Sequence, residues 1–246
     1  MMVIMTVSLQ DLTDHLDAFL HNEADEKQQQ KRRRILLAAT DLFVAHGYRK
    51  TSVDEVARAA GIAKGTVYLY YRNKAELLFH AIALEKRGYL KDIAPIGDPS
   101  LLPLDRLRAF IVLGVILSHN MPLTARIAKD HEIGLVLQDV DQQVLAETSE
   151  LQLAFTAGLI GAAADRSWPD EALEKRAKVL LDLMYAVVTS GQFIHVGIPV
   201  EEHAHLLADV IVEGIVHDPQ GWVTFQMSGP DQDKAGVTAH QHKRTA

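Results

Sequence analysis

The sequence predicts an all-α fold in which a small N-terminal domain of three helices is followed by a larger helical domain. Apolar residues recur every three or four positions along most of the chain, a spacing that is typical of amphipathic helices. No segment alternates apolar and polar residues in the way that predicts a strand. The segment 94–100 contains two prolines and a glycine, which indicates a loop between domains. A chain of 246 residues is long enough for two such domains.

Residue composition excludes several classes of protein. Hydrophobic residues make up 48% of the chain and charged residues 23%, as in ordinary globular domains. There is no cysteine, which excludes disulfides, thiolate metal sites and cysteine nucleophiles. No apolar run reaches the ~18 residues of a membrane span, and the first residues lack the basic flank of a signal peptide. We therefore expect a cytoplasmic protein without a membrane partner.

Charge is divided unevenly along the chain, whose overall net charge is -7. Residues 27–74 contain 11 Lys and Arg against 3 Asp and Glu, a net charge of +8, which leaves -15 for all the others. A basic segment in an acidic chain is the electrostatic footprint expected where the phosphates of a nucleic acid dock. The two parts of the chain are therefore expected to face different partners.

Start and stop signals predict the first two helices. A short leading helix is expected over 8–20, where Ser8 and Asp11 form a weak capping box. Its acidic residues are interpreted as a solvated face, and we assign it no function. The next helix is predicted over 28–46, and Gly47 provides its C-terminal stop.

Two short helices and one long helix are predicted to follow. Ser52 and Glu55 form a capping box for a helix over 53–60. A second short helix is expected over 64–71, and Asn73 then caps a long amphipathic helix.

The segment 52–71 meets the steric requirements of two short helices that cross at a tight turn. Ala57 is small where the helices approach each other, Gly61 occupies the turn, and Val67 is expected to point back into the core. An ordinary helical hairpin shares this pattern, because glycine turns are common in such hairpins. The net charge of +8 favours a helix-turn-helix that binds DNA.

The sequence GIAKGTVYLYY at 61–71, followed by NKAELL at 73–78, resembles the signature of the TetR (tetracycline-repressor) family. The resemblance covers 29–89, and the rest of the chain matches only in its helical plan and length. It implies a DNA-binding transcriptional regulator that acts as a ligand-responsive repressor, with an N-terminal helix-turn-helix domain and a larger domain for dimerisation and ligand binding. Ala63 departs from the family pattern, which commonly has serine there, so the second short helix is expected to lack its usual side-chain cap.

Candidate DNA contacts lie on the second short helix, whose first turn is expected to face base edges and phosphates in the major groove. Lys64 and Thr66 are the leading contacts. Gly65 lets the backbone approach the DNA closely, while Tyr68 and Tyr70 offer a hydroxyl to phosphate and a ring to a thymine methyl group.

The resemblance also suggests phosphate contacts outside this helix, from Thr51, Ser52 and Lys74. Ser52 has an equally good interpretation as a structural cap that needs no DNA. For the basic residues 31–34, a solvated face remains an alternative to a specific contact. Tyr71 is expected to belong to the core.

The predicted organisation has four parts: an N-terminal extension over 1–26, a DNA-binding domain over 27–92, an effector-binding and dimerisation domain over 101–217, and a polar tail over 218–246. The tail lacks apolar periodicity and is expected to be mostly disordered. Helices of the larger domain are predicted over 104–118, 122–129, 133–159, 167–196 and 199–217.

A homodimer is expected, because one short recognition helix reads few bases. A symmetric pair of subunits instead binds both half-sites of a palindromic operator, about 34–36 Å apart. The last two long helices are the natural interface, although their apolar stripes could equally pack inside one subunit. The candidate interface residues are Leu173, Leu180, Met184, Val188, Val210, Ile211 and Gly214.

The resemblance implies a cavity among the helices of 104–196 for a small-molecule effector, with no other cofactor. An apolar lining is expected, oriented by a few unusual polar or aromatic residues. Each of these is individually more often a structural group than a ligand contact. The candidates are His119, Asn120, Arg126, His131, Glu132, Trp168, Gln192 and Phe193.

An enzyme is not expected, although the chain has 12 histidines. The pair His131 and Glu132 lacks a second histidine at the spacing of a zinc protease helix, and neither a G-x-S-x-G motif nor a phosphate-binding loop is present. We assign no catalytic residue and no metal ligand. A metal-responsive regulator and an architectural DNA-binding protein without an effector remain the alternatives.

Overall fold

A computed structural model describes residues 7–20, 25–129, 136, 138–165, 167–190, 197–217, 223–224 and 240–241. Within these ranges the chain forms ten α-helices and one 3-10 helix, with a single pair of two-residue strands. The predicted all-α fold is confirmed. The N-terminal helices are α1 (Leu9–Leu20), α2 (Glu26–His46), α3 (Val53–Ala59), α4 (Lys64–Tyr70) and α5 (Lys74–Gly88).

The 3-10 helix Ala94–Gly97 leads into the larger helical domain. Its helices are α6 (Pro103–Asn120), α7 (Pro122–Lys129), α8 (Gln142–Ala163), α9 (Asp170–Ser190) and α10 (Val200–Ile215). No single helix in the described part of the chain is long and apolar enough to cross a membrane, and only α6 together with Pro122–Ala128, bent by 88°, meets both criteria.

The predicted tail, 218–246, is described only at β1 (Val223–Thr224) and β2 (His240–Gln241). These strands pair antiparallel, a short ladder that the sequence analysis did not anticipate. The rest of the tail lies outside the described residues.

The capping signals in the sequence act as predicted. The backbone N–H of Ser8 donates to the Asp11 carboxylate at 2.7 Å, and the Asp11 N–H donates back to the Ser8 hydroxyl at 3.2 Å. Gly47 ends α2 with a φ of 80°. At the start of α5, the Asn73 side chain accepts the Glu76 N–H at 2.7 Å.

The single long helix predicted over 133–159 is wrong, because the chain bends at Val140 and α8 begins only at Gln142. Asp141 starts the new helix by accepting the N–H of Gln143 at 2.9 Å. The apolar periodicity continues through this bend, so it did not reveal the break. The predicted end of the next helix, over 191–196, lies outside the described residues.

Two apolar cores organise the chain. The first is built from α2 to α5 around buried side chains such as Phe43 and Leu77, and it also contains Leu123 and Ile127 of α7 and Val140. The second joins α6, α8, α9 and α10. Because α7 and the segment before α8 belong to the first core, residues on both sides of the predicted boundary near residue 92 pack in the same core.

Polar contacts reinforce this junction. The Glu85 carboxylate, near the end of α5, accepts the backbone N–H groups of Leu123 and Thr124 at 2.7 and 2.9 Å, and the Thr124 hydroxyl at 2.6 Å. It therefore caps the N-terminus of α7. At the other end of α5, Arg72 forms an ion pair with Asp141 at 2.9 Å.

The leading helix α1 lies against both domains. Phe19 stacks on His80 of α5, with ring centroids 4.0 Å apart. On α8, the Thr148 hydroxyl lies 3.3 Å from the ring nitrogen Nε2 of His15. A helix to which the sequence assigned no function therefore spans the junction.

His80 makes the stability of the protein depend on pH. Its side chain is 5% exposed, and its Nδ1 donates to the Glu76 carbonyl at 2.9 Å. Burial, helped by the positive charge of Arg32, lowers the pKa of His80 from 6.5 to about 4. The unfolded chain therefore binds a proton more readily, so the stabilisation from neutral His80 is complete above pH 6.5. It is lost as the pH falls towards 4, by about 3 kcal/mol in all.

The measurement is the free energy of unfolding in urea across this pH window, for the wild type and for His80→Leu. The variant should lose less stability than the wild type between pH 7 and 4. Equal losses in both proteins would contradict this assignment.

Candidate nucleic-acid interface

The helix-turn-helix consists of α3 and α4, joined by a turn at Gly61. This glycine has a φ of +66°, the left-handed conformation that side chains disfavour. The N–H of Ile62 then donates to the Ala57 carbonyl at 3.0 Å, which closes the turn against the end of α3. Ala63 precedes α4 without a side-chain cap, as expected from the sequence.

One side of α4 is buried and the other faces outward. Val67 is 1% exposed and packs in the first core together with Val56 and Ala57 of α3. Tyr68 is exposed, Thr66 is half-buried, and Tyr70 is half-buried against the core. Thr66 and Tyr68, the two neighbours of Val67, therefore lie at the borders between the buried side of the helix and its outward side.

Lys64, the leading candidate for a DNA contact, lies at the outer edge of the turn. Its ammonium group donates to the Asp54 carboxylate at 2.8 Å, and this hydrogen bond raises the pKa of Lys64. Both side chains are about half exposed to solvent. The lysine is therefore charged and accessible, and its ammonium group is paired with the Asp54 carboxylate.

Thr51 and Lys74 are engaged inside the domain. Thr51 is 2% exposed, and its hydroxyl donates to the carbonyls of Gly47 at 2.9 Å and Leu42 at 3.2 Å. Lys74 donates to the carbonyls of Tyr48 and Thr51 at 2.9 and 3.1 Å, with its ammonium 4.1 Å from the centre of the Tyr48 ring. These two side chains hold the loop between α2 and α3 against the start of α5.

Ser52 performs the capping role predicted for it. Its hydroxyl accepts the Glu55 N–H at 3.3 Å and donates to the Glu55 carboxylate at 2.8 Å. The backbone N–H of Ser52 also donates to this carboxylate, at 2.8 Å. These hydrogen bonds lower the pKa of Glu55. Ser52 remains exposed at the surface.

The basic start of α2 divides between core and surface. Arg32 is half-buried, with its guanidinium 5.4 Å from the centre of the Tyr71 ring. Tyr71 is buried, as expected, and burial raises its pKa. The neighbouring charged side chains face outward along a surface groove, whose lining consists of Lys27, Gln30, Lys31, Arg33, Arg34 and Leu37.

Sequence reasoning missed Leu69, which is 83% exposed on α4. The signal was its position four residues after Gly65, which places it on the side of the helix away from Val67.

Four of the eight candidate effector residues lie in the described part of the chain, at the end of α6, on α7 and just before α9. His119 and Asn120 are exposed at the end of α6, where the Asn120 carbonyl accepts the Tyr89 hydroxyl at 2.8 Å. Trp168 instead packs under the guanidinium of Arg176 at 3.9 Å. Arg126 is half-buried on α7. The other four candidates lie outside the described residues: His131, Glu132, Gln192 and Phe193.

The candidate dimer residues separate into two groups. Leu180 and Ile211 are buried in the second core, and Leu173 and Met184 pack against it. These four side chains therefore have partners inside the subunit. Val210 and Gly214 are exposed, and the side chain of Val188 lies outside the described ones. The described residues contain no group of three or more His, Asp or Glu side chains that could hold a metal ion.

Residues 35–81, which include the whole helix-turn-helix, match the family described as bacterial regulatory proteins, tetR family. The chain therefore contains a DNA-binding domain of this family. It is therefore a DNA-binding transcriptional regulator and not an enzyme.

Two relatives illustrate how this similarity is distributed. The HTH-type transcriptional regulator YhgD of Bacillus subtilis is 28% identical over 189 residues, which cover 74% of this chain and 94% of that protein. The putative mycofactocin biosynthesis transcriptional regulator MftR of Mycobacterium tuberculosis is 56% identical over 77 residues, 30% of this chain and 37% of that protein.

Solved structures extend the similarity to the larger domain. A TetR-like transcriptional regulator from Rhodococcus sp. RHA1 superposes with a TM-score of 0.50 at 26% identity, over 76% of this chain and 97% of that one. FadR from Bacillus subtilis in complex with stearoyl-CoA superposes with a TM-score of 0.51 at 21% identity, over 75% of this chain and 97% of that one. AibR in complex with isovaleryl coenzyme A and operator DNA superposes with a TM-score of 0.52 at 20% identity, over 76% of this chain and 98% of that one. At these last two identities, the likeness is one of fold.

The glycines at the turn and on α4 should respond oppositely to alanine. Gly61→Ala should lower the free energy of unfolding by about 1 kcal/mol, because alanine is strained at the φ of +66°. Gly65→Ala should leave it unchanged or raise it by up to about 1 kcal/mol, since the added methyl group meets nothing within 4 Å and alanine favours helix. Urea unfolding of both variants measures this difference, and equal destabilisation would contradict it.

Proposed function

We propose that this protein is a ligand-responsive repressor that binds a palindromic operator as a homodimer in the cytoplasm. The observation that carries the proposal is α4, which is held to the core by Val67 and turns Lys64 and Tyr68 outward from a domain of net positive charge. A solved structure of the same fold is in complex with operator DNA. In this proposal α4 enters the major groove.

Within this interface, Lys64, Thr66 and Tyr68 contact base edges or phosphates, and Gly65 allows the backbone to come close. Tyr70 offers its hydroxyl to a phosphate, and Ser52 combines its capping role with a phosphate contact. The basic side chains along α2 supply further attraction to phosphates. Thr51 and Lys74 act mainly by positioning the loop before α3, since their polar atoms already have partners there.

An exposed apolar face on α9 and α10 supports the homodimer. Val179 and Leu183 lie four residues apart on α9, and Leu206 and Val210 lie four residues apart on α10. Both pairs are exposed, and Val210 is the more exposed of the α10 pair at 74%. Apolar side chains grouped in this way mark protein interfaces. The proposed interface thus keeps Val210 and Gly214 from the sequence prediction. Val179, Leu183 and Leu206 take the place of the predicted residues that are buried inside the subunit.

Val210→Glu should prevent dimerisation, because it places a charge on this apolar face. Sedimentation analysis should find a monomer where the wild type is a dimer, with operator affinity reduced at least tenfold. Leu102→Glu is the matched control, since it adds the same charge at an exposed leucine outside α9 and α10. A monomeric wild type, or a dimeric Val210→Glu variant, would contradict the proposed interface.

The junction between the two cores supports a ligand response. A ligand that moves α6 or α7 acts directly on α5, because Glu85 caps α7 and the apolar side chains of α7 pack in the first core. The response then changes the separation of the two α4 helices in the dimer. Acyl-CoA thioesters are the first effectors to test, since two solved structures of this fold contain them.

Selection of bound fragments from genomic DNA tests the proposed function. A palindromic site with half-sites about 10 base pairs apart, or a multiple of this spacing, is expected. Failure to enrich any sequence would contradict specific DNA binding. The selected operator then serves as a probe for release by acyl-CoA compounds and other small molecules. Release by metal ions alone would instead identify a metal-responsive regulator, and insensitivity to every effector would favour an architectural protein.

Lys64→Ala should weaken operator binding by about 5- to 150-fold, the range for a lost contact of 1–3 kcal/mol, while the fold is retained. Thr66→Ala and Tyr68→Ala should fall in the same range if these side chains touch base edges. Lys91→Ala removes an equal charge from an exposed lysine outside the helix-turn-helix and should have little effect. Fluorescence anisotropy with the selected operator measures all four variants. Equal affinities for wild type and Lys64→Ala would remove Lys64 from the interface.

A further inference from the structure

We infer that Leu69 recognises the C5 methyl group of a thymine in the operator half-site and so contributes to sequence specificity. The inference deepens the proposed function, since it requires α4 to enter the major groove. It assigns a role to the most exposed apolar side chain of α4, to which the sequence analysis gave none.

The exposure of Leu69 is the first observation. At 83% it exceeds that of any other large hydrophobic side chain among the described residues. Such a side chain loses contact with water favourably when a partner covers it. Neither of the two cores includes it.

The position of Leu69 on α4 is the second observation. Successive residues of an α-helix are about 100° apart, so Leu69 and Gly65 both project on the side opposite the buried Val67. Thr66 and Tyr68 lie at the margins of this outer side. The centre of the surface that α4 turns outward is therefore formed by a glycine and a leucine.

Gly65 makes room for the contact. A side chain on an α-helix leans towards the N-terminus, so Leu69 leans over the turn that contains Gly65. A methyl group built at Gly65 meets nothing within 4 Å, which leaves open space beside the leucine. A base edge that enters this space contacts the leucine side chain and the backbone of α4 together.

The chemistry of Leu69 selects thymine. In the major groove the other base edges present hydrogen-bond donors and acceptors, whereas thymine also presents a methyl group. Leucine has no polar atom with which to read a donor or acceptor, and it gains nothing from a phosphate. The hydroxyl groups of Thr66 and Tyr68 and the ammonium of Lys64 remain available for the polar edges at its sides.

Replacement of thymine by uracil tests the inference, because it removes only the methyl group. The selected operator is synthesised with uracil at one thymine position at a time, changed in both half-sites. Wild-type protein should lose affinity by about fourfold per half-site at one position, the factor for one buried methyl group. Leu69→Ala should bind the thymine operator more weakly and show no thymine preference at that position.

The controls separate this inference from the proposed function. Binding of wild-type protein to the unmodified operator tests DNA recognition itself. Leu102→Ala removes another exposed leucine, outside the helix-turn-helix, and should retain the full thymine preference. Thermal unfolding should show that Leu69→Ala is as stable as the wild type, since this side chain packs in neither core.

Three outcomes would overturn the role of Leu69 while leaving operator binding intact. They are an operator without thymine in its half-sites, a wild type that is indifferent to uracil at every position, and a Leu69→Ala variant that keeps the wild-type preference.

Discussion

The burial of Val67 is the constraint on which the recognition surface depends. The helix α4 has only two turns, and Val67 is its one fully buried side chain, packed with Val56 and Ala57 of α3. A helix anchored at one position can present only one outer face, because each following residue is rotated by a constant angle. The turn at Gly61 sets where the helix begins, and Val67 sets how it is rotated. The outward placement of Leu69 follows from these two residues.

The loop before α3 shows how polar side chains complete this arrangement. The hydroxyl of Thr51 and the ammonium of Lys74 hold carbonyl groups that no helix satisfies, and Ser52 closes the first turn of α3. Residues with the chemistry of a phosphate contact are thus partly used to shape the surface beside it. Preformed surfaces of this kind lose less conformational entropy when a partner binds.

The features that the sequence predicts well are those set by local chemistry. Caps such as Asn73 and the glycine turn depend on residues within a few positions of each other, and the structure has them where the pattern places them. The break before α8 lies where Val140 packs in the first core and Asp141 pairs with Arg72, 69 positions away, and periodicity alone reveals neither of these contacts. Helices that are apolar on more than one side are also hard to interpret, since no local signal tells which side is buried inside the subunit and which side is left exposed. For that reason Leu180 was grouped with Val210 although the fold separates them.

The sharing of the first core between the two halves of the chain limits its modularity. Leu123 and Ile127 reach back from α7 into the helices that carry the recognition surface, and Glu85 reaches forward to α7. A chimera cut in the loop near residue 92 would leave one half with a hole in its core and the other with exposed apolar side chains. A DNA-binding domain that is moved into another protein therefore has to include α7 and the segment around Val140. The fragment that keeps this core intact is discontinuous in sequence.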